Sequence, residues 1–431
     1  MSIRDRADGT ERRAVYLLAA VNLVALGSLT APVVAGLPLK IDAIFPEAER
    51  AAALATALAL GGLASLIASP LFGMLSDRTR IRFGRRRPWM LGGTVVGLGC
   101  AAAFAAAYSF PLIVISWVCA QVAFNATLAA AAALLADVVP ESRRAAASGL
   151  FTAAAFVGTL PPLLLSALLP RQVDLVILVM PLIAVVVVGF AMTIDERAPR
   201  TSPQVQRAAP ADRILSVSSA FAAVWLQRLA MQSAFSLVTA FTIYLIIDRM
   251  TANAVTATPI AMIATLLGGA GIVIGAAVGG AWASRCQSYL PFLAAGAVGL
   301  AVGASVRAFA DVPFMLWSAA TIGGLAVGVY LAVNLAMAMR VIPVGREGSY
   351  LGVLNVAETI PQVLAPMVAV ALLRVGQGDP FSGATDNYAM LYAAAALIAL
   401  LSIATLPALH RAARGSRNTE STEAGVASSR M

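Results

Sequence analysis

Charge is what this sequence has least of. Only 12% of its 431 residues are Asp, Glu, Lys or Arg, against 60% that are apolar, and mean hydropathy is +0.85. A water-soluble fold could not cover its surface with so few charges. Cysteine is scarce too: Cys100 and Cys119 fall in apolar runs and Cys286 in a short basic loop. That excludes a disulfide framework, and no His/Cys/carboxylate grouping has the spacing of a metal site. The single histidine, His410, sits beyond the last apolar run, so histidine is not expected as a proton-coupling group. There is no Gly-x-x-x-x-Gly-Lys phosphate loop, hence no support for an ATP-driven pump. Without a catalytic constellation, neither an enzyme nor a cofactor is expected. The net charge of +9 does not point to nucleic acid, because the arginines lie between apolar runs and form no aromatic-interleaved basic face.

What the sequence has is apolar length. Twelve runs recur, at 14–37, 51–75, 88–108, 111–136, 146–169, 174–194, 214–247, 256–283, 290–310, 313–340, 347–374 and 386–409. Each is near the ~20 residues that cross a bilayer as a helix. They are too long and too uniformly apolar for barrel strands, which alternate. The first is too long for a signal-peptide core and lacks a cleavage site, so it counts as a span. Segment 214–247 exceeds one perpendicular crossing, and its start reads as an amphipathic interfacial stretch. Expected is an all-α integral membrane protein of twelve helices.

Arginine sets the orientation. With the N-terminus inside, the inner side collects Arg4, Arg6, Arg12, Arg13, the cluster at 78–87, Arg143, Arg144, Arg197, Arg200, Arg207, Arg213, Arg285, Arg340, Arg346 and the C-terminal tail. The outer side holds only Lys40, Arg50, Arg171, Arg249, Arg307 and Arg374. By the positive-inside rule both termini are cytoplasmic, in a plasma membrane. The polar stretch 195–213 divides the runs six and six, giving bundles at 1–194 and 214–410 and a disordered tail at 411–431. The bundles echo each other. ADVVPESRRAAASGL at 136–150 aligns with MRVIPVGREGSYLGV at 339–353, an offset of 203, and GMLSDR at 73–78 with GAWASR at 280–285, where Asp77 becomes Ser284. Internal symmetry of this kind is expected of a transporter built from two repeats.

The densest positive charge lies in SDRTRIRFGRRRP, 76–88, with an aspartate at its front edge. A positive-inside anchor explains the arginines but not Asp77. Gly73 permits close helix contact. Asp77 stands at a helix end, where an N-terminus from the other half, around Glu347–Ser349, would offer positive partial charge. Arginines of the loop are expected to pair with Asp137 and Glu141 and to meet lipid phosphates. The stretch GMLSDRTRIRFGRRRPWM resembles the signature loop of the major facilitator superfamily, and RFGRRRPW, VVPESRRAAASG and LGVLNVAETIPQVLAP are similar to its sucrose and glycoside–cation symporter branch. The resemblance implies two pseudo-symmetric six-helix bundles and alternating access. It implies an inner gate closed by Asp77, with Gly73, Arg78, Arg85, Arg86, Asp137, Arg143 and Arg144 around it.

Charges inside the runs are functional candidates by default, because burying one costs a few kcal/mol even on mild scales. Two stand out, Arg228 and Glu358. Asn355, Glu358 and Gln362 share one helix face, as do Trp225, Arg228 and Gln232. In the superfamily the first, second, fourth and fifth helices of each half line the cavity, which would turn both faces inward. Glu358 reads as a protonatable coupling group held by Arg228, or as half of a permanent ion pair. Asn22, Trp117, Gln121 and Asn125 in the first half, and Tyr330 and Asn334 in the second, offer amides and aromatics for a hydroxyl-rich solute, or helix-to-helix hydrogen bonds. Gly93, Gly97, Gly271, Gly275 and Gly279 read as packing stripes. Pro161, Pro162, Pro361 and Pro366 read as bends.

The leading expectation is a monomeric secondary transporter, a proton-coupled symporter of a sugar or glycoside, with membrane lipids as its surroundings. The second is a proton-driven efflux antiporter for amphiphilic compounds. The low aromatic content, 7%, and the absence of a clear Gly-Pro-x-x-Gly-Gly run count against it. A third is a non-transporting receptor on the same fold. Helix four lacks the arginine of plant sucrose carriers, and helix two lacks the paired aspartates of melibiose-type sodium sites.

Overall fold

In hydrocarbon every backbone N–H and C=O must be satisfied within the protein, and helices do this residue by residue. The structure is a computed structural model describing residues 3–169, 172–196, 218–251, 254–343, 345–376, 378–383 and 385–409. Most of the linker at 195–213, His410 and the tail at 411–431 lie outside the described residues. The spans are α1 Thr10–Asp42, α2 Ala53–Arg78, α3 Arg87–Ala105, α4 Phe110–Val138, α5 Glu141–Ser166 and α6 Val173–Ala191. A bent α7 follows, Ser219–Ala240 with Thr242–Thr251, then α8 Pro259–Cys286, α9 Leu290–Ala308 and α10 Pro313–Val341. Another bent helix, α11, joins Glu347–Gln362 to Met367–Leu373, and α12 is Tyr388–Leu409. Ten helices among the described residues are long and apolar enough to cross alone, and the two bent pairs bring the total to twelve.

The first six helices pack on one another, with α1 against α4, α5 and α6, and α3 against α4 and α6. The last six repeat this, with α7 against α10, α11 and α12, and α9 against α10 and α12. Between the two sets the main contacts are α2 with α11 and α5 with α8, a symmetry-related pair, and α5 also meets α10. Glycine makes both possible. A Cβ on Gly73 would lie 2.0 Å from the Gly348 carbonyl oxygen, and one on Gly280 would lie 2.4 Å from that of Ala145. One on Gly149 would lie 2.2 Å from the Ala276 carbonyl oxygen.

Two features differ from the sequence reading. Segment 214–247 bends by 44° at Phe241, toward the end opposite the arginine cluster; its start up to residue 217 lies outside the described residues. Arg307, expected on the outer side near the end of the ninth run, is only 4% exposed. Its Nη1 donates to the Val238 carbonyl (3.0 Å) and to Thr242 Oγ1 (2.6 Å), at the bend of α7. The Val238 carbonyl at the bend is thereby paired. Two other cations of that end cap helix C-termini. Lys40 Nζ donates to the carbonyls of Ala105 (2.7 Å) and Ala107 (3.3 Å), and Arg249 Nη1 to those of Ala308 (2.9 Å) and Ala310 (3.1 Å). The acceptors are related by the 203-residue offset. Each cation answers the negative end of a helix.

The bends also repeat. α5 is interrupted at Thr159, just before Pro161, and α11 turns by 40° after Gln362, again 203 residues on. The glycine stripe of α8 packs as expected: a Cβ on Gly275 would lie 2.2 Å from the Leu325 carbonyl oxygen, whereas one on Gly92 would meet nothing within 4 Å. Gly275→Leu should therefore cost about 1–3 kcal/mol by overpacking and lower the melting temperature of the purified protein by several degrees. Gly92→Leu should leave it unchanged, and equal melting of the two variants would contradict the α8–α10 contact.

Candidate functional site

Two sites emerge: a latch at the end where the arginines cluster, and a cavity at mid-depth. The latch is built on the first turn of α11. Asp77, at the end of α2, accepts from the backbone N–H of Gly348 (3.0 Å) and of Ser349 (2.7 Å), and from Ser349 Oγ (2.6 Å). A carboxylate on free N–H groups at a helix start is favoured by both hydrogen bonding and the helix dipole. Arg86 is fully buried and binds Asp77 Oδ1 at 2.6 Å, Asp137 at 3.1 Å and Glu347 at 3.4 Å. Arg85 binds Asp137 and Glu347 at 3.1 Å each. Burial works to lower the Arg85 pKa, but Asp137 and Glu347 outweigh it and hold the guanidinium above its ordinary value. Five charges thus link α2, the 79–86 loop, α4 and α11, so that no buried charge stands unpaired.

Around this core the expected gate residues divide. Gly73 lies against Gly348. Arg144 Nη1 donates to the Met339 carbonyl at 2.8 Å, a second tie between the halves. Arg143 binds Glu11 at 3.4 Å, within its own half. Arg78 is exposed and makes no ion pair among the described residues. Glu141, expected to serve the arginine cluster, instead binds Arg340 of α10 at 2.7 Å.

Two partners escaped sequence reasoning. Glu196 accepts the backbone N–H groups of Arg85, Arg86 (3.0 Å) and Arg87 (2.8 Å), capping α3 and holding the arginine loop in place. Gly84, at φ +104°, makes room for that carboxylate. The other is Ser284. Its Oγ accepts from the Ala146 N–H at 2.8 Å, which is the symmetry copy of Asp77 accepting from Ser349. The alignment of GMLSDR with GAWASR already carried that signal.

The cavity, of about 190 Å³, lies between the halves and is lined by α1, α2, α4, α5, α7, α10 and α11. Its polar lining includes Asn22, Ser69, Asn125, Asn355, Arg228 and Glu358. Arg228 Nη2 meets Glu358 Oε2 at 2.5 Å, and Nη1 donates to Asn334 Oδ1 at 3.1 Å. Glu358 is the more open partner, its side chain 29% exposed against 11% for Arg228. Asn334 and Tyr330 are fully buried behind the pair. The hydroxyl of Tyr330 and Oε1 of Gln232 have no hydrogen-bond partner among the described residues.

Other expected solute contacts lie outside the cavity lining. Trp117 is buried in the outer part of the first half, its Nε1 donating to the Ala57 carbonyl at 3.2 Å. Gln121 binds back to Asn125. Trp225 donates to the Val353 carbonyl at 2.9 Å, and Gln362 is exposed at the bend of α11. Asn22 lines the cavity, although its Nδ2 already donates to the Phe151 carbonyl at 2.8 Å.

Residues 15–276 match the Major Facilitator Superfamily. The chain belongs to that superfamily. Over 45 residues it is 51% identical to the uncharacterized symporter sll1374 of Synechocystis sp., a stretch that covers 10% of this chain and 8% of that protein. Three solved structures share the fold. The human organic anion transporter MFSD10 gives a TM-score of 0.70 at 17% identity, covering 92% of this chain and 99% of that one. The proton:xylose symporter XylE gives 0.69 at 14%, covering 90% and 94%. A bacterial homologue of the iron transporter ferroportin, in an outward-facing state, gives 0.67 at 15%, covering 90% and 98%. An organic anion transporter, a proton:xylose symporter and a homologue of an iron transporter thus share one architecture, so the fold alone does not name the solute. The protein is a transporter and not an enzyme.

The two copies of the latch differ by one charge. Removing it in Asp77→Asn takes from the buried Arg86 the nearest of its three carboxylates and weakens the bonds to the α11 N-terminus, and should cost the closed state about 2–3 kcal/mol. Ser284→Ala removes one neutral hydrogen bond, about 1 kcal/mol. Labelling of a cavity cysteine by a reagent applied at the arginine end should rise tens-fold in the first variant and only a few-fold in the second. Equal responses would contradict the assignment of the latch to Asp77.

Proposed function

We propose that this transporter is a proton-coupled symporter of a small neutral polar solute, a sugar or glycoside, working by alternating access. The observation that carries the reading is the Arg228–Glu358 pair in the cavity wall. One carboxylate, half open to a central cavity and held by a single arginine, is a group whose charge can be cancelled by one proton. When Glu358 is protonated, Arg228 loses its counter-charge and must find other acceptors. Asn334 already holds it, and the unpartnered Tyr330 hydroxyl and Gln232 Oε1 lie on the same side. Proton binding would then rearrange α7 against α11, the helix that also carries the latch. Because both helices belong to the second half, the change reaches Gly348 and Ser349 along one rigid element.

The cavity size favours a small solute. Pockets for drug-sized ligands run to ~300–1,000 Å³, whereas this one has about 190 Å³. That counts against efflux of amphiphilic compounds, the second reading. Asn22, Asn125 and Asn355 supply donors and acceptors from both halves, which suits hydroxyl groups.

The arginine-rich end is cytoplasmic in this reading, with both termini there, the protein in the plasma membrane, and each monomer complete. Of the cations of the opposite end, Lys40, Arg249 and Arg307 are occupied by helix carbonyls and so weigh little against the orientation. The halves 1–194 and 214–410 would move as units joined by the linker.

Uptake of labelled glycosides into vesicles under an inward proton gradient tests the assignment. Accumulation is expected in the unaltered protein. In Glu358→Gln, gradient-driven accumulation should vanish while solute exchange persists. Accumulation at the original level in that variant removes Glu358 from coupling. Gradient-driven loss of a dye, without glycoside uptake, supports the efflux reading instead.

A further inference from the structure

α8 carries a second face that the transport cycle described above does not use. On a helix of 3.6 residues per turn, Val278 and Trp282 fall opposite Gly280 and Ser284, which face α5. Val278 and Trp282 are 58% and 61% exposed and form a ridge with a groove on each flank. One groove, of about 400 Å³, runs between α8 and α9, with Gly275 and Gly279 on one wall, Phe292 on the other and Leu325 and Val329 as its floor. The other, of about 480 Å³, is lined by Ala277, Ala281 and Arg285. Trp282 meets Phe292 edge-on at 5.8 Å between ring centroids. Arg285, in the last turn of α8, is exposed and makes no ion pair among the described residues.

An apolar groove on a membrane span is filled by hydrocarbon whatever its shape. The charge above it is what selects. A long basic side chain at a helix end reaches the headgroup phosphates, and a tryptophan one turn below is an interfacial anchor. Here one free cation stands over two grooves that flank one indole. A zwitterionic headgroup brings its own counter-charge to the phosphate; an anionic one leaves it for Arg285. We infer that this double groove binds one anionic phospholipid of the leaflet at the arginine end, its two tails astride Trp282 and its headgroup on Arg285. The bound lipid fixes the end of α8 from behind, one helix width from the Ser284–Ala146 contact. The site is independent of the solute carried.

Trp282 is itself the probe. The full-length protein is placed in phosphatidylcholine nanodiscs containing acyl-brominated phosphatidylglycerol or acyl-brominated phosphatidylcholine at matched mole fractions. Subtracting the fluorescence of Trp282→Phe isolates quenching at Trp282. Half-quenching is expected at about fivefold lower mole fraction of the anionic lipid, the preference one basic residue supplies. Arg285→Gln should equalise the two lipids and Arg285→Lys should keep the preference. High salt should shrink it in the unaltered chain, a check that needs no variant. Equal half-quenching by the two lipids in the unaltered protein overturns the site, as does a preference that survives in Arg285→Gln.

Discussion

A single carboxylate on the first turn of α11 holds this structure in the state described. Asp77 satisfies the free N–H groups of Gly348 and Ser349, and its own charge is balanced by the buried Arg86. The bonds to Gly348 and Ser349 require close approach of α2 to α11, and glycine at positions 73, 348 and 352 provides it. Among the described residues, hydrogen bonds between the halves occur only at the arginine end. The cavity therefore lies behind a closed door, as an alternating-access cycle requires of one of its states.

Duplication explains the layout. The α2–α11 and α5–α8 contacts are copies, down to the glycines and to an oxygen that accepts a helix N-terminal N–H. One copy uses a carboxylate and four basic or acidic neighbours; the other uses a serine hydroxyl. A fully charged pair of latches would deepen the closed state twice over. The neutral copy keeps the geometry with a single hydrogen bond, which under the proposed coupling leaves a contact that a change in the cavity would open.

Much of this was legible in the sequence because it rests on chemistry that a membrane makes rare. Asp77 with Glu347–Ser349 could be named because a positive-inside anchor does not explain an aspartate, and Arg228 with Glu358 because a charge in an apolar run has few reasons to be there. The twelve spans followed from run length. The solute-facing set was less legible. Trp117 and Asn125 are eight residues apart, which is about 12 Å along a helix; a shared face does not mean a shared depth. Asn334 was visible as a polar residue but not as the second acceptor for Arg228. Arg307 falls near the end of the ninth run, and nothing local reveals that α7 bends beside it. Glu196 caps α3 across more than a hundred residues of sequence, and only folding brings them together.

The central claim is that the two halves tilt about the cavity, so that one end closes as the other opens. Pulsed electron spin resonance distances test it most directly, in a chain with Cys100 and Cys119 replaced by alanine. One label pair, at native Cys286 and Ser142→Cys, reports the arginine end; another, at Tyr108→Cys and Asp311→Cys with Cys286 also replaced, reports the opposite end. Lowering the pH with solute present should lengthen the first distance and shorten the second. Two distances that move in the same direction, or that do not move, would contradict the account.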